Sequence, residues 1–182
     1  MLGYPDGEQI PAAEMLNMVG RIAAAVEVPV TADLEAGYGD AVATARAAWD
    51  AGVVGLNLED GGGDPAEHAD RVSAVRAAVP ELVINARVDT TEVADVVERG
   101  NRYLEAGADC VYPIFVAPEA FPEVVRQIRG PVNVGARPGS SVAELAALGV
   151  RRISVGPRLH RASLAFVESA ARQLLERGTL EW

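Results

Sequence analysis

The stretch VVGLNLEDGGGDP (residues 53–65) decides the fold. An apolar, β-branched run ends in two carboxylates, Glu59 and Asp60, and glycines follow. Asp64 and Pro65 then read as a helix N-cap and a first-turn proline. Strand, polar loop, helix is one half of a parallel βαβ unit, and such units carry their chemistry at the carboxyl ends of the strands. Asn57, inside the apolar run, requires a hydrogen-bond partner. The glycines 61–63 suggest a mobile lid.

The same unit recurs on both sides of this stretch. Period-two apolar runs predict strands at Val28–Ala32, Val54–Leu58, Leu82–Ala86, Cys110–Ile114, Val132–Val134 and Arg152–Val155. Helical periodicity falls between them, at Pro11–Ala25, Asp40–Ala51, Pro65–Ala78, Thr91–Ala106, Pro118–Ile128, Ser141–Leu148 and Arg158–Arg177. Ala51-Gly52, Ala106-Gly107 and Leu148-Gly149 stand where helix C-caps belong. Alternation of this kind means a parallel α/β sheet. No GxGxxG follows a strand, so a TIM-barrel-type (β/α)8 fold is favoured over a doubly wound nucleotide fold. A full barrel needs eight units. About six strands imply one domain, residues 1–182, incomplete at its amino end, with the Val28 and Ile153 strands as edges that need covering.

Composition narrows the function. A net charge of −10 and 5% aromatic residues argue against a nucleic-acid partner. No apolar run approaches membrane-spanning length and no basic-then-apolar leader opens the sequence, so the chain reads as soluble and cytoplasmic, with no membrane partner. The one cysteine, Cys110, has no internal disulfide partner and reads as a buried core thiol. All 16 basic residues are arginine. Schiff-base and P-loop lysine chemistry are therefore excluded.

The remaining candidates are oxygen-rich. Asp33 and Glu35 end the first predicted strand, two residues apart and so on one face. With Glu59 and Asp60 they suggest a hard divalent cation, although Asp33 alone could be a cap or an ion-pair partner. Asp40 and Asp64 read as N-caps. Arg87, at the end of LVINARVD (82–89), suits capture of a carboxylate or phosphate, or else an internal ion pair with Glu59 or Asp89. Asn133 could contact a ligand, Ser154 less so. His68 and His160 lie on predicted helices and read as surface residues.

Taken together, Gly3-Tyr4-Pro5-Asp6, TADLEAGYG (31–39), GLNLEDGGGD (55–64), INARVDT (84–90), EAGADCVYP (105–113), PVNV (131–134) and LGVRRISVGP (148–157) resemble the isocitrate lyase/phosphoenolpyruvate mutase superfamily. The nearest likeness is to short bacterial phosphonomutase-like members. The resemblance implies Mg²⁺, with Mn²⁺ as an alternative, held directly by Asp33 and through water by Asp6, Glu35 and Glu59. It implies Arg87 and Glu59 as catalytic residues, with Arg87, Asn133 and Tyr4 against a small carboxylate substrate. The implied chemistry is lyase or mutase, breaking or rearranging a C–C or C–P bond next to a 2-oxo or 2-hydroxy acid through an enolate. The implied assembly is a homo-oligomer, a dimer or tetramer. The loop GGGDPAEH (61–68) departs from the pattern, because it carries neither the lyases' cysteine nor the phosphonate enzymes' lysine. The alternative is a catalytically impaired relative that binds metal or a small acid without turnover.

Overall fold

The computed structural model describes residues 3–5 and 7–180. Its strands are β1 (Thr31–Asp33), β2 (Gly55–Glu59), β3 (Val83–Val88), β4 (Cys110–Pro113), β5 (Asn133–Gly135) and β6 (Arg152–Ser154). Its helices are α1 (Ala12–Ala25), α2 (Ala41–Asp50), α3 (Pro65–Ala78), α4 (Val93–Glu105), α5 (Phe121–Gln127), α6 (Val142–Ala147) and α7 (Arg158–Arg177). Asp40 and Asp64 cap α2 and α3 as the sequence predicts, accepting from Ala43 N at 2.9 Å and Ala66 N at 2.8 Å.

All neighbouring strands are parallel, in the order β1-β2-β3-β4, with β5-β6 alongside. A parallel bridge between Val111 and Val132 joins β4 to β5. The six strands thus follow one another around an incomplete barrel of TIM type. Across the open seam, Arg152 of β6 donates to Thr31 Oγ1 of β1 at 3.2 Å.

β1 begins later than the sequence suggests. Val28 stands 68% exposed ahead of it. Pro29 brings no N–H to an edge, and pairing there is reduced to Val54 N donating to Val30 O at 2.9 Å.

The sheet has two unlike faces. Residues turned toward the helices are apolar and buried: Leu56, Leu58, Ile84, Ala86, Val88 and Val111. They pack with Ala45 and Ala48 of α2, Val72 and Val75 of α3, Val96 of α4 and Val124 of α5 in one cluster. The alternate residues face the barrel interior and are polar: Asp33, Asn57, Glu59, Asn85, Arg87 and Tyr112. Burial of the first set supplies the stability, at roughly 25 cal/mol per Å² of apolar surface removed from water. α7 differs from the other long helices. It has no buried residue, and Leu159, Phe166, Val167 and Leu175 are exposed. Among the described residues no helix is long and apolar enough to cross a membrane.

Candidate functional site

The interior carboxylates gather at the carboxyl ends of β1, β2 and β3. Asp33 closes β1, and its Oδ1 accepts from Glu35 N at 3.2 Å. The following turn is strained: Glu35 and Tyr38 adopt left-handed backbone, with φ of 49° and 54°. Such strain in non-glycine residues gathers at functional sites. The turn is locked to β2 by Glu59 N donating to Glu35 O at 2.8 Å.

Glu59 closes β2 in register with Arg87 of β3. The internal ion pair expected of Arg87 forms with both Asp89 and Glu59. Its Nε and Nη2 donate to Asp89 at 2.6 and 3.0 Å, and Nη1 makes an ion-pair contact with Glu59 Oε2. That oxygen is buried and has no hydrogen bond. Burial, opposed by Arg87 and reinforced by Asp89, Glu35 and Asp33, pushes the Glu59 carboxyl up to about 7. One layer below, Asn85 Nδ2 donates to Asn57 Oδ1 at 2.7 Å, the partner that Asn57 requires. Asn85 Oδ1 remains buried without one.

Asp60, grouped by its position with the cation carboxylates but left out of the metal set that the resemblance implies, is the hub beneath this site. Its carboxylate accepts from Tyr103 OH at 2.6 Å, Arg99 Nη1 at 3.1 Å, and the backbone N–H groups of Gly62 and Asp89, each at 2.9 Å. Burial alone would push the Asp60 carboxyl up; these hydrogen bonds outweigh it and hold it below the usual carboxylate range. Arg99 also donates to Gly63 O at 2.7 Å, and Gly61 N donates to Asp89 Oδ2 at 3.2 Å. The glycine loop is therefore fastened along its length and is not the free lid suggested by its composition. The expected surface position of His68 is also wrong. The ring is buried, packs edge-on against Tyr103 at 4.5 Å between centroids, and has no hydrogen bond at either nitrogen. Burial pushes its pKa down to about 4.

Other expected site residues have different partners. Tyr4 is 45% exposed and its hydroxyl donates to Glu14 Oε2 of α1 at 2.9 Å. Asn133 is buried at the start of β5, where its amide pairs with Ser154 Oγ at 3.0 and 3.2 Å. Asp6 lies outside the described residues. Cys110 is buried, as expected, and burial pushes its thiol up to about 11. A cleft of about 490 Å³ opens between Glu8, Asp40 and Arg71, and its lining does not include Asp33, Glu59 or Arg87.

Among the described residues, no three His, Cys, Asp or Glu side chains close into a metal cage. The donors that are present still fit a hard cation. Asp33 presents an exposed carboxylate, and Glu59 carries a buried oxygen without a hydrogen bond, in the combined field of Asp89, Glu35 and Asp33. Mg²⁺ uses one or two protein carboxylates and keeps several waters, so a complete cage is not required.

The sequence profile of the phosphoenolpyruvate phosphomutase family matches residues 1–175. The chain belongs to this family. Among its relatives, an uncharacterised protein from Mycobacterium tuberculosis is 34% identical over 182 residues, covering 93% of this chain and 70% of its own. A 2-methylisocitrate lyase from Aeropyrum pernix is 28% identical over 203 residues, covering 98% of this chain and 66% of its own. A crystal structure described as a lyase/mutase from Burkholderia cenocepacia J2315 superposes with a TM-score of 0.85 at 34% identity, covering 98% of this chain and 72% of that one. The chain spans about two thirds to three quarters of the length of these relatives. The 61–68 loop carries neither cysteine nor lysine, and its glycines are tied to Asp60, Asp89 and Arg99.

Proposed function

We propose that the protein is a Mg²⁺-dependent lyase that cleaves a bond next to a small 2-oxo or 2-hydroxy acid and leaves an enolate. One observation carries this reading. Glu59, with its carboxyl near neutrality, stands in ion-pair contact with Arg87 at the mouth of the sheet and within the field of Asp33 and Glu35. A carboxylate held beside a guanidinium at the carboxyl end of a parallel sheet can take and return a proton.

Each side chain then has a task. Arg87, oriented by Asp89, presents its remaining N–H groups to the substrate carboxylate. Glu59 accepts the proton of a substrate hydroxyl. Asp33 would hold Mg²⁺ or Mn²⁺ directly, with Glu35 and Glu59 reaching the ion through water. When bound, the ion supplies Lewis-acid stabilisation of developing oxyanion charge. The polar barrel interior, in place of an apolar core, accommodates a small charged acid.

The test is calorimetric titration with Mg²⁺ and then oxalate, an enolate mimic. Heat for both, lost in Asp33→Ala, supports the reading. Absence of heat from folded protein overturns it. A second reading, metal and acid binding without turnover, is favoured by the loop without Cys or Lys and by the Asn133–Ser154 pair. It predicts oxalate binding with no 2-oxo acid consumed or formed from any β-carboxylated or β-hydroxylated substrate.

We also propose that the chain assembles with copies of itself, as a dimer or tetramer. Support comes from Leu159, Val167 and Leu175 of α7, large apolar side chains exposed on a helix with no buried residue. Light scattering that gives the protomer mass at micromolar concentration would remove this proposal.

A further inference from the structure

Glu59, Arg87 and Tyr112 form a continuous row across β2, β3 and β4, each in register with the next. The first two have partners. Tyr112 does not: it is 8% exposed, and its hydroxyl has no hydrogen bond among the described residues. A buried tyrosine normally finds a partner for its O–H. This one reaches across to β5, where a Cβ added to Gly135 would stand 2.9 Å from the hydroxyl oxygen. Gly135 therefore leaves open the space the hydroxyl occupies. Burial pushes the phenol pKa up, so it stays protonated, and Arg87, Arg158, Asp33 and Arg152 all act on it electrostatically. Those four residues come from β3, the start of α7, β1 and β6. The hydroxyl thus lies in the mouth of the barrel, among the groups that would surround a substrate.

The proposed lyase reaction needs a proton donor for the carbon left behind when the bond breaks. Arg87 does not give up its proton. The glycine loop has no acid side chain before Asp64, whose carboxylate caps α3. The Cys110 thiol lies lower on β4, in register with Asn85 and not with the top layer.

We propose that Tyr112 donates the proton that quenches the enolate. The inference rests on the lyase reading above. As the C3–C4 bond of a 2-oxo acid breaks, its electron pair becomes the C2=C3 double bond of the enolate. The Tyr112 O–H bond then breaks, its proton forms the new C3–H bond, and the phenolate regains a proton from water. With a 4-hydroxy substrate, the proton that Glu59 removed from the hydroxyl balances the one Tyr112 gives.

The reverse half-reaction is testable without knowing the natural substrate. Pyruvate is incubated with Mg²⁺-loaded protein in D2O, and loss of its methyl signal is followed by proton NMR, with oxalate affinity measured alongside. Tyr112→Phe keeps the ring, so oxalate affinity stays within about twofold while exchange falls at least about a hundredfold, the scale of a lost acid–base group. Gly135→Ala pushes the hydroxyl aside and slows exchange in the wild-type background, and has no further effect in Tyr112→Phe. Exchange at the wild-type rate in Tyr112→Phe overturns the assignment. So does a wild-type protein that binds oxalate yet leaves pyruvate unexchanged. A protein that binds no oxalate defeats the lyase reading itself, and the role of Tyr112 with it.

Discussion

Strand β3 shows two different materials on alternate residues. Ile84, Ala86 and Val88 face the helices and are fully buried in the apolar cluster. Asn85 and Arg87, followed by Asp89, face the barrel interior and make only polar contacts. In a strand, successive side chains point to opposite faces, so one six-residue segment serves both purposes. The folding energy and the chemistry of this protein are thus separated by direction, not by region. Asp60 is the exception that joins them. It is as buried as the core, yet it positions Asp89 and the glycine loop.

The largest expected effect therefore falls on the exception. Asp60→Ala leaves Arg99 and Tyr103 buried without their acceptor and is expected to cost about 3–5 kcal/mol in urea unfolding, as for a broken buried ion pair. It should also weaken oxalate binding, because Asp89 and hence Arg87 lose their register. If stability falls and binding is untouched, Asp60 belongs wholly to the core.

Next comes the helix-facing side. Ile84→Ala should cost about 3 kcal/mol, with oxalate affinity unchanged in the protein that remains folded. A parallel loss of affinity would show that the two faces are coupled.

A third test uses pH. Glu59 has a folded pKa raised from 4.5 to about 7, so the folded state holds a proton that the unfolded state has lost, and stability falls as pH rises across that window. His68 is lowered from 6.5 to about 4, so the unfolded state takes the extra proton, and stability falls as pH drops from 6.5 to 4. The two slopes oppose each other between about 4.5 and 6.5 and largely cancel there. Glu59→Gln removes one of them, so its denaturation midpoint should climb steadily from pH 4 to 6.5, by up to about 3 kcal/mol in stability. A midpoint as flat as the wild type's would mean that the two buried groups do not titrate as their surroundings imply.

The smallest stability effect belongs to the interior face. Arg87→Lys should change unfolding by less than about 1 kcal/mol, since a cation stays between Asp89 and Glu59. The flat, two-pronged donor is lost, however, and oxalate affinity should fall at least about tenfold. Calorimetry and denaturation on the same sample separate the two.

The architecture was largely legible in the sequence because it is written locally. Each strand is a β-branched run between a glycine break and a polar loop, and all six strands and seven helices lie where those signals put them, with ends displaced by a few residues. The placement of Asp33, Glu35, Glu59 and Arg87 together at the carboxyl ends of strands was legible for the same reason. Asp60 was not. Its partners Arg99 and Tyr103 lie 39 and 43 residues away, and nothing in EDGGGD reports them. His68 was missed despite an available signal: 68, 72 and 75 are the i, i+4, i+7 buried stripe of α3. Tyr4 and Asn133 were chosen by type and place along the chain, but their polar groups meet Glu14 and Ser154, pairings set by how helix and strand pack.

One contact between loops has a consequence for motion. Arg71 of α3 donates to Ala36 O at 3.1 Å and to Glu59 O at 3.4 Å, and Glu59 N in turn bonds to Glu35 O. The turn after β1 and the end of β2 are strapped to a single guanidinium. They should therefore breathe together, with the amides of Gly37 and Glu59 exchanging hydrogen through one shared opening event. The spacing of the acidic groups is set before any ligand arrives, so little chain entropy is left to lose when one does.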